Sequence, residues 1–260
     1  MKWIGTIAKA VLLTAACVPL LFAAEIPSAA RRSGFSFMAP DTQAIQNDDT
    51  ANPGMLWVFD GEALWNSRTG ASGKSCADCH NDAAGMRGVA ARYPAFDATL
   101  GRPVDLEQRV NLCRTRNQQA APLAYESRGL LALTAFVARQ SHGMAIETGT
   151  DPRLEPFIAE GRDLFMRRQG QLNLGCANCH DDNWDKRLAG SAITQAHPTG
   201  YPLYRLEWQS LGSLQRRLRA CISGIRAQAY DYGAPELVEL ELYLMSRARG
   251  MPIEAPAVRP

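Results

Sequence analysis

The sequence predicts an all-α fold made of two copies of one unit, and three observations support this prediction. Apolar residues recur at spacings of three and four, most clearly over residues 125–140, and no segment shows convincing strand-like alternation. The pattern Gly-x-x-Leu-aromatic begins at Gly61 and again at Gly161. Each of these glycines lies 15 positions before the first cysteine of a Cys-x-x-Cys-His motif. A repeat of this length is too long for a solenoid, so it indicates two copies of a small domain.

The two Cys-x-x-Cys-His motifs, at residues 76–80 and 176–180, indicate the cofactor. In such a motif two thiols add to the two vinyl groups of one haem, and the following histidine supplies an imidazole to the iron. A thioredoxin-like redox pair or half of a zinc site also contains Cys-x-x-Cys, but two occurrences with identical spacing favour haem. We therefore predict two tandem cytochrome c-like domains related by internal duplication, with two covalently bound haem c groups. The predicted attachment residues are Cys76, Cys79, Cys176 and Cys179, and the predicted proximal iron ligands are His80 and His180.

The chain begins with the features of a secretory signal peptide. Lys2 and Lys9 precede or flank an apolar run over residues 10–22, which is too short for a membrane span. We therefore predict a signal peptide over residues 1–24 and a periplasmic protein without stable membrane insertion. Removing this segment takes away two of the 28 basic residues and none of the 26 acidic residues. The balanced charge that remains excludes a strongly basic nucleic-acid-binding protein.

The first haem domain is predicted over residues 54–147, after an N-terminal arm over residues 25–53 that has no clear periodicity. A loop follows the haem motif, and Asp105 then opens a helix. The last helix of the domain ends at Gly143, because glycine is a stop signal. The helices expected here cover residues 54–66, 105–112 and 125–140, with a short helix near residues 42–47 in the arm.

The second haem domain is predicted over residues 148–260 and repeats this plan. A linker rich in Gly and Thr leads to Pro152, which suits the start of a helix. A long loop follows the haem motif as far as Tyr204, and the chain ends in a tail after Gly250. The helices expected here cover residues 153–168, 212–223 and 235–249.

Two further cysteines, Cys113 and Cys221, occupy equivalent positions in the two halves. Each follows a leucine by seven residues and an arginine by four, and each precedes the apolar last helix of its domain. In a small cytochrome c fold the second iron ligand comes from this place, which predicts Cys113 and Cys221 as iron ligands. A disulfide between them is the alternative, and it requires Cα atoms within about 7 Å. The competing side chains fit this place less well; they are Met86, Met144, Met245, His142 and His197.

A cysteine thiolate on iron lowers the reduction potential, which favours sulfur chemistry over a high-potential electron relay. The segment from Arg205 to Arg226 contains five arginines and one acid. Arg217 precedes Cys221 by one helical turn and so shares its face. A guanidinium there can bind a small oxyanion through paired hydrogen bonds. A solvated helix face or contact with haem propionates is the alternative role for these arginines.

The chain resembles SoxA. The resemblance rests on the motif at residues 176–180 and on Arg-Arg-Leu-Arg-Ala-Cys-Ile-Ser-Gly over residues 216–224, together with the matching segments of the first half. SoxA is the larger cytochrome subunit of the bacterial thiosulfate-oxidising SoxAX complex. The resemblance covers essentially the whole mature chain. Cys113 and the first haem motif match the dihaem form of the family.

The resemblance implies a specific reaction, that of an L-cysteine S-thiosulfotransferase. The family works as a heterodimer with a small monohaem cytochrome, SoxX, and oxidatively joins thiosulfate to a cysteine thiol of the carrier protein SoxY in the SoxYZ complex. The product is a cysteine S-thiosulfonate, and two electrons leave through haem to SoxX. By resemblance, Cys221 is the catalytic cysteine, carried as a persulfide, and Arg217 contacts the substrate. The implied axial pairs are His80 with Cys113 and His180 with Cys221.

Three other functions fit some of these residues. A thiosulfate dehydrogenase that forms tetrathionate also uses a haem-ligating cysteine, but it needs no carrier protein. A plain dihaem electron carrier would need neither the additional cysteines nor the arginines. A dihaem peroxidase would need an iron open to peroxide.

Overall fold

The computed structural model describes residues 26–260, and the predicted signal peptide over residues 1–24 lies outside the described residues. The arm that follows contains two 3-10 turns and one helix: Ser28–Ala30, Gly34–Phe37 and α1 Pro40–Asn47. α1 begins two residues before the predicted helix. Pro40 suits this start, because the first residues of a helix have no partner for their N–H groups and proline has none to satisfy.

The first half contains the predicted helices with small shifts at their ends. α4 is capped by Asp105, whose Oδ1 accepts the backbone N–H of Gln108 at 2.6 Å. α5 is capped by Ser127, which explains why it starts three residues after the predicted Tyr125. The helices are α2 Met55–Asn66, α3 Ala77–His80, α4 Leu106–Cys113 and α5 Arg128–Arg139, with 3-10 turns at Ala83–Met86 and Ala90–Arg92 and a π-helical turn at Arg114–Gln118.

The second half repeats this order of helices. α8 is capped by Ser213, whose Oγ accepts the backbone N–H of Arg216 at 3.1 Å. The helices are α6 Glu155–Met166, α7 Cys176–His180, α8 Leu214–Gly224 and α9 Pro235–Arg247, and a 3-10 turn at Pro152–Leu154 precedes α6.

In each half the helix before the haem motif packs against the last long helix, α2 against α5 and α6 against α9. Gly61 and Gly161 lie at these crossings. A Cβ at Gly61 would overlap the carbonyl oxygen of Ala132, and a Cβ at Gly161 would overlap that of Glu239. The repeated glycine therefore permits the close approach of the two helices.

The helical class is confirmed, but the all-α description is incomplete because residues 26–260 also contain short strands. β5 lies between β6, which runs antiparallel to it, and β7, which runs parallel. β1 pairs with β2 and β3 with β4, both antiparallel. Strands of two or three residues are too short to show alternation in the sequence. They are β1 Ala95–Asp97, β2 Arg102–Val104, β3 Arg187–Leu188, β4 Ser191–Ala192, β5 Leu203–Arg205, β6 Ser210–Gly212 and β7 Ala257–Arg259.

The C-terminal tail is a buried strand, β7, and not a free end. Val258 is fully buried, and its N–H donates to Oε1 of Gln46 in α1 at 3.1 Å. Asn52 donates from Nδ2 to the Pro256 carbonyl at 2.9 Å. The N-terminal arm and the tail therefore hold each other in place by hydrogen bonds between opposite ends of the chain.

Two apolar clusters fill the interior. One gathers around α2 and α5 and includes Trp65 and Phe136, and the other gathers around α6, α8 and α9 and includes Phe165 and Tyr243. The first cluster also contains Ile253 from the C-terminal segment, so the end of the chain packs against the first half. Within residues 26–260, no helix combines the length and the apolar character that crossing a membrane requires.

Candidate functional site

The first haem motif opens onto a cavity of about 440 Å³. Cys76, Cys79, His80 and Cys113 all line this cavity, so the structure brings the predicted attachment residues and the predicted second ligand together. The ring of Trp65 lies 5.6 Å from the ring of His80. Two thiols and an imidazole facing an apolar cavity fit a covalently attached haem. Its apolar lining includes Met86, Val89, Phe96, Leu106, Leu133 and Val137.

α4 brings Cys113 to this cavity, and Arg109, one turn earlier on the same helix, lines it as well. Burial raises the pKa of the Cys113 thiol, while the charge of Arg109 opposes that rise. Arg109 is itself neutralised by an ion pair with Asp97 at 2.8 Å, and its Nε donates to the Tyr93 hydroxyl at 3.0 Å. The first site therefore contains no free cation at this position.

The second haem motif forms α7, with Gly175 donating its N–H to Oδ1 of Asn178 at 3.0 Å. His180 Nδ1 lies 2.6 Å from the Thr194 carbonyl. A carbonyl can only accept, so Nδ1 carries the hydrogen and Nε2 keeps its lone pair, as an iron ligand requires. Burial is the main cause that lowers the pKa of His180, which favours the neutral imidazole.

A buried ion pair adjoins this histidine. Asp181 follows His180 directly, and its carboxylate meets Arg247 of α9 at 2.5 Å, with both side chains only 4% exposed. The guanidinium of Arg247 also lies over the ring of Phe165, 4.5 Å from its centroid. The pair connects the haem motif to the last helix, and sequence reasoning did not find it.

Cys221 is half-buried on α8 and lies close to the second haem motif. Burial raises the pKa of the Cys176 thiol to about 12, and the nearby Cys221 adds to this rise. Burial and Cys221 also raise the pKa of Cys179. In the first half, Cys113 and Cys79 are neighbours in the same way. Each additional cysteine therefore lies beside its own haem motif, and both are free thiols, so the alternative disulfide is absent from the structure.

Arg217 lies beside Cys221, as the helical spacing predicts. Within residues 26–260 its half-buried guanidinium makes no hydrogen bond or ion pair. Burial disfavours its charge, but the neighbouring Cys221 and Tyr201 outweigh that effect and the pKa of Arg217 is raised. The second site thus presents unused N–H donors and a positive charge next to a thiol.

The five arginines of this segment do not form one cluster. Arg205 and Arg217 lie near Cys221. Arg216 approaches Glu126 at 3.8 Å and shares the Trp208 ring with Arg205, their guanidinium groups lying 4.2 and 5.2 Å from its centroid. Arg219 lies over the Tyr232 ring at 4.5 Å. Arg226 is in the left-handed region at φ 58°, and its carbonyl accepts the N–H of Gln171. The five arginines lie on β5, on different faces of α8 and just after α8, and the composition of the segment does not reveal this.

Sequence reasoning missed Tyr201, which the loop before β5 places near Cys221. Burial raises the pKa of the Tyr201 hydroxyl to about 12; Arg217 opposes this rise and Cys221 adds to it. A signal was present in the sequence, because Tyr-Pro occurs at residues 93–94 and again at 201–202, the same separation as that between Cys113 and Cys221.

The two histidines outside the motifs have structural roles. His197 is buried, its Nδ1 lies 3.0 Å from the Arg32 carbonyl, and burial lowers its pKa to about 4. His142 Nδ1 lies 3.2 Å from the Ala255 carbonyl. Both contacts hold terminal segments of the chain.

The paired helices, the Cys-x-x-Cys-His helices and the thiol-lined cavity define a c-type cytochrome, which carries covalently bound haem c. A family model described as SoxA/TsdA, cytochrome c domain, matches residues 60–146 and 160–253. The chain belongs to this family, which confirms the predicted resemblance.

Curated relatives and a solved structure extend over most of the chain. L-cysteine S-thiosulfotransferase subunit SoxA of Pseudaminobacter salicylatoxidans is 38% identical over 229 residues, 87% of this chain and 80% of the relative. The subunit of the same description from Rhodovulum sulfidophilum is 37% identical over 88% of this chain and 80% of its own length. The crystal structure of SoxXA from P. pantotrophus contains a chain with a TM-score of 0.86 and 32% identity, covering 88% of this chain and 87% of that one.

Proposed function

We propose that this chain is the cytochrome subunit of an L-cysteine S-thiosulfotransferase that joins thiosulfate to a cysteine thiol of a carrier protein. The observation that carries the proposal is the position of Cys221 near a haem motif and near the guanidinium of Arg217, which forms no ion pair within residues 26–260. The descriptions of the relatives supply the reaction, and these two residues supply a thiol and an anion-binding group for it.

The proposed cofactors are two haem c groups, one in each half. Cys76 and Cys79 would hold the first group, with His80 and Cys113 as iron ligands. The residues that would hold the second group are Cys176, Cys179, His180 and Cys221. When bound, haem accepts electrons one at a time and passes them to a partner cytochrome. The proposed domains are residues 54–147 and 148–260, after the arm over residues 25–53.

In the proposed mechanism Arg217 donates hydrogen bonds to the sulfonate oxygens of thiosulfate and orients its terminal sulfur toward Cys221. The Cys221 thiolate, or its persulfide, and thiosulfate then form a sulfur–sulfur bond and give up two electrons. The carrier thiolate attacks the sulfur that arrived with thiosulfate, which forms the carrier S-thiosulfonate and returns the Cys221 thiolate or persulfide that began the cycle. Overall, a thiol and thiosulfate give the S-thiosulfonate, one proton and two electrons.

The proposed partners follow from the family. A small monohaem cytochrome of the SoxX kind would complete a heterodimer, as in the solved SoxXA complex, and a SoxYZ-type carrier would supply the thiol. After removal of the predicted signal peptide, the periplasm is the proposed location.

The test is Cys221→Met, with Cys113→Met as the matched control. Both proteins are expected to keep both haems, because the attachment cysteines are unchanged. Cys221→Met should lose turnover of thiosulfate and carrier, measured by mass spectrometry of the carrier, together with one low-spin histidine/thiolate EPR signal. Full turnover by Cys221→Met would refute the covalent role. A methionine-to-iron charge-transfer band in the unaltered protein would refute cysteine ligation.

A thiosulfate dehydrogenase is the second candidate, because the matching family model covers both SoxA and TsdA. That enzyme would form tetrathionate from thiosulfate alone. Tetrathionate formation at full rate without any carrier protein would favour it over the thiosulfotransferase.

A further inference from the structure

Residues 93–113 of the first half align without a gap with residues 201–221 of the second half. β1 and β2 pair Asp97 with Arg102, and β5 and β6 pair Arg205 with Ser210 in the same register. α4 and α8 begin one residue after their caps, at Leu106 and Leu214. The equivalent positions, first half before second, are Tyr93 and Tyr201, Asp97 and Arg205, Arg109 and Arg217, and Cys113 and Cys221.

Three of these four positions carry the same residue type in both halves, and the fourth reverses its charge. In the first half, Asp97 is 5% exposed and pairs with Arg109 at 2.8 Å. The other oxygen of Asp97 accepts the backbone N–H groups of Thr99 and Leu100, each at 2.9 Å. The acid is therefore fixed in place beside Arg109, the cation one helical turn from Cys113, and it also lies 3.9 Å from Arg116.

In the second half, Arg205 occupies the place of that acid. It is 9% exposed, and its buried Nε has no hydrogen-bond partner among the described residues. Its ion pair is with Glu207 at 2.8 Å, and the Glu207 side chain is 61% exposed, so water screens that charge strongly. The guanidinium of Arg217 has no ion pair in residues 26–260.

Arg205, which is buried, and Arg217, which is half-buried, therefore occupy the places of the Asp97–Arg109 pair, next to Cys221. Like charges in a shielded place disfavour each other, and burial followed by the charge of Arg217 lowers the pKa of Arg205. A ligand with two negative charges would relieve this repulsion, and it would also supply acceptors for the unused N–H donors.

We infer that Arg205 is a second anion-binding residue of the Cys221 site, and that Arg205 and Arg217 together select a doubly charged sulfur oxyanion. The inference rests on the proposed function for the identity of that anion as thiosulfate. In the first site Asp97 stands in place of Arg205 and opposes an anion beside Arg109, although Arg92 and Arg114 also line that cavity. The exchange of acid for arginine is thus what distinguishes the substrate site from its duplicate.

Thiosulfate binding to the haem-loaded complex, without carrier protein, tests this inference by calorimetry. Arg205→Gln should weaken binding by about tenfold to a hundredfold, as expected for losing one charge-assisted hydrogen bond. Arg205→Lys keeps the charge and should recover part of the loss. Arg219→Gln is the matched control, since Arg219 is on the same helix as Arg217 but lies over the Tyr232 ring, and this variant should bind thiosulfate as the unaltered protein does. Equal affinity for Arg205→Gln and the unaltered protein would overturn the inference.

Glu207→Gln gives a second test that leaves the buried arginine intact. Because Glu207 is exposed, the fold should tolerate this change, and the freed Arg205 should bind thiosulfate more tightly, by about twofold to fivefold at low ionic strength. Unchanged or weaker binding would count against the inference, and this variant decides the matter if Arg205→Gln fails to incorporate haem.

Turnover separates failure of the inference from failure of the proposed function. A higher KM for thiosulfate in Arg205→Gln with little change in kcat supports the anion-binding role, whereas an unchanged KM overturns it and leaves the thiosulfotransferase standing. The unaltered protein could instead bind thiosulfate through Arg205 but form no S-thiosulfonate on the carrier. That result would support the anion-binding site and refute the proposed function.

Discussion

Asp181 and Arg247 form an ion pair at 2.5 Å in which both side chains are 4% exposed, directly beside His180. The two residues lie 66 positions apart, one after the second haem motif and the other on α9. Arg247 also donates to the Tyr243 hydroxyl at 3.4 Å. The pair holds the histidine-bearing turn against the last helix of the protein.

Removing one partner of this pair should be costly. Arg247→Leu leaves the Asp181 carboxylate buried without its counter-charge, which is expected to lower the free energy of unfolding by about 3–5 kcal/mol. Urea unfolding of the haem-loaded protein, followed by tryptophan fluorescence, measures the change. The double variant Asp181→Asn with Arg247→Leu should lose less, because no unpaired charge remains. Equal losses in the single and double variants would contradict this account.

The contribution of three buried carboxyl groups to the stability of the protein should fall as the pH rises from acid toward about 8. Glu107 on α4, Glu241 on α9 and the helix cap Asp105 bring three carboxyl groups together. Burial is the largest cause that raises the pKa of all three groups. It raises the pKa of Asp105 to about 6 and that of Glu107 to about 8, and the pKa of Glu241 is raised as well. A raised pKa of an acid means that the protonated form stabilises the fold. For Glu107 that stabilisation is present below the ordinary pKa of 4.5 and is lost as the pH rises through about 8.

Glu107→Gln tests this pH dependence. Glutamine keeps the shape of the protonated acid and cannot ionise, so the variant should unfold at a higher temperature than the unaltered protein at pH 8. The two proteins should differ little at pH 5. Thermal unfolding at both pH values checks the expectation, with exposed Glu62→Gln on α2 as the control. An equal shift at both pH values would indicate a packing effect and not a titration.

The helix crossings should not tolerate a methyl group. Gly61→Ala and Gly161→Ala each place a Cβ against a backbone carbonyl, of Ala132 and Glu239 respectively, which cannot move aside like a flexible side chain. We expect each change to destabilise its half by at least ~1–3 kcal/mol, the cost typical of overpacking. Calorimetric unfolding and the haem content of the purified protein measure the effect.

Gly129→Ala is the matched control for the crossings. A Cβ there would make only ordinary contacts, 3.6 Å from Leu123, and alanine is the better helix former by about 1 kcal/mol. This variant should therefore be as stable as the unaltered protein or more so. Normal stability of Gly61→Ala would show that α2 and α5 can separate without cost.

Several features could be predicted because they depend on residues close together in the chain. The Cys-x-x-Cys-His spacing predicts haem attachment without knowledge of the fold. The helical period places Arg217 and Cys221 on one face of α8, and the structure has them side by side. The repeat identifies the two halves and their equivalent cysteines. These inferences need only local spacing and helix geometry.

The tertiary structure alone determined which distant residues meet. β7 joins β5 although the sequence suggested a tail, since pairing between strands more than fifty residues apart depends on the path of the intervening chain. Asp181 meets Arg247 because α7 and α9 pack together. The ion pair of Asp97 with Arg109 likewise depends on how the β1–β2 hairpin packs beside α4, which local spacing does not reveal. The sequence by itself thus predicted the haem motifs and their duplication, and the tertiary structure decided that Arg109 meets a buried acid whereas Arg217, within residues 26–260, forms no ion pair.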